Sequence, residues 1–230
     1  SSALYVGTNG SGLYSTRDNG STWNALISGL DDKYIYTILQ MPDHPNTLYT
    51  GTKSGGVYIS EDGGATWHTV NTGLPVLSTE DSIPLSAGTL PFDPIFPEQG
   101  LWAEFEEAGS QVLPATANEI SVSILSLAAN PDNPSTLYLG SSSGVYKSNN
   151  AGENWAGSGL AGKVIQSLAI DPFQSQILFA ATNASSGSLY KSSDAGESWV
   201  PANTGIIGLG VNALWPDPNR GNVIYAATDS

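Results

Sequence analysis

The side chains of this chain that could do chemistry are few, and most of them are carboxylates. Acidic residues number 21, against seven Lys and Arg. Three of the acids, Glu104, Glu106 and Glu107, lie beside Trp102. Glycoside hydrolysis requires two carboxylates that flank the scissile bond, and an indole ring suits the face of a sugar. These residues are therefore the candidates for catalysis and ligand binding, although the sequence favours the plainer interpretation of a solvated acidic strand and loop.

Other kinds of active site have little support in the sequence. His44 lies in a Pro-rich turn and His68 follows a Trp, and neither has the sequence context of a serine hydrolase. We interpret both as turn or surface residues. No His pair or cluster of His and acids has the spacing of metal ligands, and no Cys is present to form a thiolate site or a disulfide. We therefore expect no metal and no cofactor.

The charge balance limits the partners of the chain. The formal net charge is −14, and the few cations are scattered along the sequence. A nucleic-acid surface needs clustered Lys and Arg to neutralise phosphates, so we expect no nucleic acid as a partner. No apolar run is long enough for a membrane span, so we expect no membrane insertion. The abundance of Ser, Thr, Asn and Gly and the scarcity of Lys favour an extracellular or periplasmic location.

A tryptophan repeat sets the framework that must position these side chains. Four of the six Trp are separated by 44, 88 and 44 residues, which is one period of 44 with one member missing. Before each Trp stands an Asp or Asn, then a Gly two residues later. The four sets are Asp18, Gly20 and Trp23; Asp62, Gly64 and Trp67; Asn150, Gly152 and Trp155; and Asp194, Gly196 and Trp199. Such a period predicts repeated copies of one small β unit.

Each position of this turn motif has a structural explanation. An Asp or Asn after a strand accepts backbone N–H groups and holds a turn. Gly two residues later supplies a positive φ. The Trp is expected to bury its ring between adjacent sheets. We therefore interpret these residues as structural, and not as catalytic or calcium-binding.

The aligned copies predict four strands in each unit. The first strands are predicted at 34–39, 122–127, 164–170 and 211–215, and Pro-rich turns follow them. The second strands are predicted at 48–52, 137–140, 177–182 and 224–228. The third strands are predicted at 12–15, 56–60, 144–148 and 188–192, and each fourth strand begins at the Trp. Small residues near the end of the second strand suit a close approach of neighbouring sheets. The short turns favour an antiparallel meander.

Two parts of the chain depart from the regular period. At about 74–120 we predict a degenerate or insertion-bearing blade, because 92–94 resembles the Pro turn and 101–105 resembles a second strand without a turn motif after it. At the ends, 4–8 aligns with 224–228 at an offset of five periods. The chain therefore holds five units and one redundant strand. That strand could be disordered, could belong to a longer array that was cut, or could pair with a neighbouring chain.

The turn motif resembles the Asp-box, Ser/Thr-x-Asp-x-Gly-x-Thr-Trp, of BNR-type β-propellers. The boxes at 16–23 and 60–67 match it fully, and those at 148–155 and 192–199 are relaxed. The segment 131–140 is also similar to xyloglucanase, sortilin-like and photosystem-assembly (Ycf48-like) propellers. The resemblance implies a single all-β domain over 1–230, a β-propeller of four-stranded antiparallel blades, with five blades.

The resemblance leaves several functions open, because proteins of very different activity share this fold. Sialidases of this type bind a carboxylate through three Arg, whereas this chain has only Arg17 and Arg220, so a sialidase is excluded. We predict a non-catalytic extracytoplasmic binding or scaffold module for a protein or glycan. Two alternatives remain. One is a xyloglucanase-like glycoside hydrolase or a fragment of one. The other is a self-assembling cell-surface or filament subunit that uses its redundant terminal strand.

Overall fold

A computed structural model describes residues 3–76, 120–182, 189–206 and 210–228. The chain divides into two compact units, Ser1–Pro75 with Ile120–Ser230, and Val76–Glu119. All strands named below belong to the first unit. The predicted blade at about 74–120 lies outside the described residues except at its two ends, and so do Trp102, Glu104, Glu106 and Glu107; these assignments stay predictions. The described residues form no helix long and apolar enough to cross a membrane.

The described strands form five antiparallel sheets, each a meander of strands consecutive in the chain. Sheet I consists of β1 (Leu4–Gly7), β2 (Leu13–Thr16) and β3 (Asn24–Ala25). Sheet II consists of β4 (Ile35–Gln40), β5 (Leu48–Thr52), β6 (Val57–Ser60) and β7 (His68–Thr69). Sheet III consists of β8 (Ile124–Ala129), β9 (Leu137–Ser141), β10 (Gly144–Ser148) and β11 (Ala156–Gly157). Sheet IV consists of β12 (Ile165–Asp171), β13 (Gln174–Thr182), β14 (Leu189–Ser192) and β15 (Val200–Pro201), and sheet V of β16 (Val211–Pro216) and β17 (Ile224–Thr228).

This architecture confirms the predicted all-β propeller fold with four-stranded antiparallel blades. Sheets II, III and IV have all four strands, sheet I begins at a second strand, and sheet V has the first two strands of the unit. Successive sheets pack against each other in chain order, with the first strands β4, β8, β12 and β16 side by side. Sheets II and III are direct neighbours, although residues 77–119 separate them in sequence. Among the described strands, none of sheet I pairs with one of sheet V.

The fourth strands begin one residue later than predicted, after the Trp instead of at it. The main-chain N–H of Trp67 is donated to the carbonyl of Ser28, at 2.9 Å, in the loop that follows sheet I. The N–H of Trp155 is likewise donated to the carbonyl of Thr72, at 2.8 Å, after sheet II. Trp67 and Trp155 thus use their backbone donors on the preceding sheet, and pairing within their own sheets starts at the next residue.

A bulge recurs near the start of every first strand and joins neighbouring sheets. The register slips by one residue between Ile35 and Thr37 in β4, and at the same place in β8, β12 and β16. A bulge turns the residues around it out of the regular ladder. In sheets III and IV this lets the hydroxyls of Ser126 and Ser167 accept the N–H groups of Leu168 and Leu214 from the next sheet, at 2.9 and 3.1 Å.

The small residues of the second strands allow the close approach that the sequence predicts. A Cβ atom added to Gly51 would lie 2.5 Å from Cγ2 of Ile124 in the next sheet, and one added to Gly140 would lie 2.7 Å from Cγ2 of Ile165. Both isoleucines are fully buried. A side chain at either glycine would therefore force the neighbouring sheets apart.

Two aromatic side chains, one from each sheet, complete the inter-sheet contact. The Tyr49 hydroxyl is donated from sheet II to the carbonyl of Ala151 in the box turn of sheet III, at 2.8 Å. In the opposite direction, the indole N–H of Trp155 is donated to the carbonyl of Val70 after sheet II, at 2.8 Å. The next pair of sheets repeats the arrangement, with Tyr138 bonded to Ala195 and Trp199 bonded to Ser158, at 2.9 and 2.6 Å.

The expectation that all four box Trp rings are buried between sheets is wrong for Trp23. Trp67 and Trp155 are each 4% exposed, and Trp199 is partly buried, but Trp23 is 45% exposed. Each buried ring packs against the sheet that precedes its own in the chain. Trp23 belongs to sheet I, which no described sheet precedes, so its ring has no such surface to pack against.

We expect substitution of a buried box Trp and of the exposed box Trp to differ sharply in their effect on the free energy of unfolding. Trp155→Ala removes a buried ring and its indole hydrogen bond, and should lower the free energy of unfolding by about 3–5 kcal/mol. Trp23→Ala should lower it by about 1 kcal/mol or less, because the ring is already half in water. Denaturant titration followed by circular dichroism measures both values. Equal losses in the two variants would show that the rings do not act as wedges between sheets.

Candidate functional site

The Asp-box turns are closed by hydrogen bonds within each turn. In the second box, Asp62 accepts the hydroxyl of Ser60 at 2.8 Å and both the N–H and the hydroxyl of Thr66, at 2.9 and 2.6 Å. The Ser60 hydroxyl also accepts the N–H of Gly64, at 2.8 Å. Asp18 and Asp194 make the corresponding bonds in their own boxes. The box carboxylates are thus engaged by donors of their own turn.

Two consecutive residues of each box have a positive φ, whereas the sequence predicts one. The predicted glycines lie at φ between 86° and 94°. The residue before each glycine is also left-handed, and this position was missed. The φ angles at this position are 57° for Asn19, 76° for Gly63, 55° for Ala151 and 58° for Ala195. Because the residue is Ala in two of the boxes, the sequence gives little indication of a left-handed conformation there. The carbonyls of Ala151 and Ala195 are the acceptors for Tyr49 and Tyr138 of the preceding sheets.

Hydrogen bonding lowers the pKa of the Asp side chain in each of the three boxes that contain an Asp. The pKa of Asp62 is lowered to about 2, chiefly by the Thr66 hydroxyl, with further contributions from the Thr66 N–H and the Ser60 hydroxyl. The pKa of Asp18 is lowered to about 2, chiefly by the Thr16 hydroxyl, and that of Asp194 to about 2, chiefly by the Ser198 hydroxyl. Asn150 accepts the same kinds of donor without a charge.

A cavity of about 460 Å³ lies between sheets II and III. It is lined by side chains that take no part in the hydrogen bonds within the box turns. Below we call it the II–III cavity. Its lining includes both histidines of the chain, its only methionine and one glutamate from each sheet: His44, His68, Met41, Glu61 and Glu153. The side chains of the two histidines and two glutamates have no hydrogen-bond or ion-pair partner among the described residues.

The meander explains why both histidines reach this place. The turn between the first two strands and the box turn between the third and fourth strands lie at the same end of a sheet. In sheet II the N–H of Gly63 in the box is donated to the carbonyl of Asn46 in the Pro turn, at 2.9 Å. The sequence interpretation of His44 and His68 as exposed turn and surface residues agrees with their exposure. It missed their convergence, which the common end of the two turns could have suggested.

The floor of the II–III cavity is apolar and contains a buried phenol. Tyr49 is nearly fully buried there, and burial together with the negative charge of Glu61 raises its pKa to about 12. Its hydroxyl therefore stays protonated and remains a donor to Ala151. Ile59 and Val70 also line the cavity. Among the described residues, no group of three or more His, Asp and Glu has an arrangement that could hold a metal ion.

The equivalent place between sheets III and IV is smaller and is partly filled by a lysine of the chain. The cavity there has a volume of about 260 Å³ and is lined by Lys147, Asn149 and Glu197 among others. The Lys147 ammonium lies 3.6 Å from Oε1 of Glu197 and donates to the carbonyl of Ala195 at 3.1 Å. By the repeat alignment, sheets II and III have Ile59, Glu61 and Glu153 at the positions of Lys147, Asn149 and Glu197.

A second concave surface is lined by mainly apolar side chains. It has a volume of about 340 Å³ and is formed by the ends of β8, β12 and β16 with the Pro turns that follow them. Trp215, at one side of it, is 66% exposed. Its lining side chains are Ala, Leu, Ile, Pro and Trp, so it offers no side-chain donor or acceptor except the indole N–H.

Comparison with known proteins finds an Asp-box repeat in the chain and a likeness of fold to solved propellers. A model of the BNR/Asp-box repeat matches residues 58–69, which include the turn of the second box. No curated protein matches the chain by sequence. The chain is similar in structure to a GH74 xyloglucanase from Xanthomonas campestris, with 18% identity, a TM-score of 0.65, and coverage of 98% of this chain and 33% of that one.

Two further structures have the same fold. One is a GH74 enzyme from Niastella koreensis, with 17% identity, a TM-score of 0.65, and coverage of 99% of this chain and 31% of that one. The other is the extracellular domain of a one-component system from B. thetaiotaomicron, with 16% identity, a TM-score of 0.63, and coverage of 99% and 25%. The chain thus spans at most about a third of the length of these three structures, and at such identities the likeness concerns the fold.

We expect acid to weaken the fold through the three charged boxes. The pKa of Asp62 is about 2 in the folded chain against an ordinary value of 3.8, so folding favours its carboxylate. Its contribution is complete above about pH 4 and is lost as the pH falls through about 2. Asp62→Asn should therefore reduce the fall in stability between these values, and Asn150→Asp should increase it. Urea titrations from pH 7 to pH 2 measure the effect; identical pH profiles for all three proteins would contradict it.

Proposed function

We propose that this chain is a non-catalytic binding module of propeller fold that acts outside the cytoplasm, and that the II–III cavity is its binding site. One observation supports this most strongly. Two histidines and two glutamates without partners among the described residues converge, from two sheets, on a cavity of the size that ligand sites have. Polar side chains that the fold itself does not use are what a ligand needs for orientation and specificity.

The lining of the cavity favours binding over hydrolysis of a glycan. Glu61 and Glu153 share the cavity, as the two carboxylates of a glycosidase would. However, the only aromatic ring of the lining besides the imidazoles is Tyr49, which is buried and bonded to Ala151. A sugar ring therefore finds no exposed platform on which to stack. The box carboxylates are no better suited to catalysis, because hydroxyl and amide donors already engage them.

The proposed location rests on composition and on the fold. The chain has an excess of acids, few Lys and no Cys, a balance that suits a protein outside the cytoplasm. One of its structural neighbours is itself an extracellular domain. A propeller also offers rigid sheets that hold binding residues in fixed turns, as a binding or scaffold role requires.

The unique residues of the cavity allow a direct test. Because Met41 is the only methionine, protein labelled with ¹³C at the Met methyl group gives a single reporter signal from the cavity. We expect that signal and the His ring signals to shift saturably with at least one member of a panel of acidic, neutral and basic peptides and neutral oligosaccharides. His68→Ala, which introduces the residue found at the equivalent position 156, should weaken that binding severalfold. Lys33→Gln, outside the cavity, should leave it unchanged.

Hydrolysis must be measured on the same panel. We expect no release of reducing sugar from any oligosaccharide. Release that is lost in Glu61→Gln or Glu153→Gln would replace the binding proposal with the glycosidase alternative. A panel that leaves the Met41 and His signals unmoved throughout would contradict the proposed site.

A second candidate function, self-association, is favoured by the two ends of the sheet array. In the interior, Gly29 and Gly73 after the fourth strands lie against the backbones of Trp67 and Trp155 of the next sheet. Gly205 holds the same position after sheet IV, and no described atom lies within 4 Å of where its Cβ would be. Trp23, at the other end, lacks a preceding sheet. The third and fourth strands of sheet I from a second copy could complete the two strands of sheet V, giving head-to-tail assembly.

This alternative predicts a concentration-dependent mass. Sedimentation velocity over a range of micromolar concentrations should show dimers or longer species in the original chain, and a monomer in Trp23→Ala, which removes the ring proposed to insert after sheet IV. Trp215→Ala, in the first strand of sheet V, serves as the matched control for loss of an exposed indole. A constant monomer mass for the original chain would contradict self-association.

A further inference from the structure

The site between sheets III and IV indicates what its counterpart between sheets II and III can bind. Three groups surround the Lys147 ammonium. They are the carbonyl of Ala195 at 3.1 Å, the carboxylate of Glu197 at 3.6 Å and the ring of Tyr138, whose centroid is 5.6 Å away. A carbonyl, a carboxylate and an aromatic face are together a favourable environment for a cation on an alkyl chain.

The carbonyl and the carboxylate recur between sheets II and III, and Tyr49, whose ring is buried, lies at the position of Tyr138. Ala151 has the same left-handed conformation as Ala195, and its carbonyl accepts the Tyr49 hydroxyl as that of Ala195 accepts the Tyr138 hydroxyl. Glu153 corresponds to Glu197, and Tyr49 corresponds to Tyr138. The two sites differ in the side chain that the third strand contributes. Sheet II contributes Ile59, whereas sheet III contributes Lys147.

Charge strengthens the comparison. Between sheets III and IV the negative charge of Glu197 is balanced by Lys147, and the neighbouring position is the neutral Asn149. In the II–III cavity both glutamates are negative, and no Lys or Arg is among the lining residues. Two carboxylates without a cation attract a positive group, and the apolar side chains of Met41, Ile59 and Val70 can pack against an alkyl stem.

We propose that the II–III cavity binds an alkylammonium group, the lysine side chain of a protein partner, in the position that Lys147 occupies between the next two sheets. This inference rests on the proposed function, because it assigns a ligand class to the same cavity. The ammonium donates to the Ala151 carbonyl and pairs with Glu153, and Glu61 adds a second negative charge at the mouth.

The probe for this proposal is Nα-acetyl-lysine-N-methylamide, titrated into protein that carries the ¹³C label on Met41. We expect a saturable shift of the Met41 signal. The Nε-acetylated form of the same compound keeps the stem and loses the charge, and it should cause no saturable shift. A short lysine-containing peptide should bind at least as tightly as the amide. If cadaverine, a free diamine, binds about tenfold more tightly than that peptide, a small amine and not a protein partner is the ligand, and the proposed source is wrong.

Exchange of residues between the two equivalent sites provides the decisive variants. Ile59→Lys supplies the chain's own ammonium, as the next sheet does, and should weaken binding of the probe at least about tenfold. Ile59→Leu keeps the site apolar and should bind as the original chain does. Glu153→Gln removes the pairing charge from an exposed side chain and should also weaken binding about tenfold. Lys147→Ile should create a second, weaker site between sheets III and IV.

The outcomes separate this inference from the proposed function. Equal binding of the charged and Nε-acetylated probes, or undiminished binding in Ile59→Lys, would overturn the ammonium assignment. If Ile59→Lys fails to fold, Glu153→Gln decides, because unchanged affinity in that variant overturns the assignment as well. If the lysine probe leaves Met41 unmoved while an acidic peptide or an oligosaccharide shifts it, the ligand class is wrong and the binding function remains.

Discussion

The fold depends on one reciprocal contact that recurs between sheets II and III and between sheets III and IV. An aromatic ring on the second strand of one sheet reaches the box turn of the next, and the box Trp of that next sheet reaches back to the loop after the fourth strand. Where both hydrogen bonds form, as with Tyr49 and Trp155, the indole is nearly fully buried and its N–H has an acceptor. Where the preceding sheet is absent from the described residues, as for Trp23, the same residue type is half exposed. The stability of the array is thus distributed over its interfaces, as in other repeat architectures.

The Asp-box makes this contact possible because its carboxylate is engaged by donors of its own turn. Hydroxyl and amide donors of the turn engage the carboxylate of Asp62, and two left-handed residues aim a carbonyl at the neighbouring sheet. The carboxylate contributes geometry and not reactivity, and Asn150 replaces it in the third box, where its side-chain oxygen accepts the Ser148 hydroxyl and the Asn154 N–H. Chemistry specific to this chain must therefore come from positions that the turn does not use.

The variable positions of the repeat are where two neighbouring interfaces acquire different properties. Between sheets III and IV, Lys147 and Glu197 neutralise each other inside a small cavity. Between sheets II and III, substitution of that Lys by Ile59 and of Asn149 by Glu61 leaves a larger and acidic cavity beside both histidines. The box turns recur in both places, so the difference in charge follows from the side chains, whereas the turn between the first two strands, which lines the larger cavity, is shorter in sheet IV (between Asp171 and Gln174) than in sheet III (between Ala129 and Leu137). Internal repeats thus provide their own comparison, since one copy shows what the other would look like with the cation in place.

The sequence by itself determined the repeated unit: strand positions to within one to three residues, the antiparallel meander, the box turns and the close approach at Gly51 and Gly140. These features depend on contacts that are local or that recur in every period, so a single chain reveals them. Only the tertiary structure decided which Trp is buried, that sheets II and III are neighbours across residues 77–119, and that His44, His68, Glu61 and Glu153 share one cavity. Burial and convergence depend on which sheet follows which in space, and neither periodicity nor residue type carries that information. The acidic candidates at 104–107 lie outside the described residues and stay predictions.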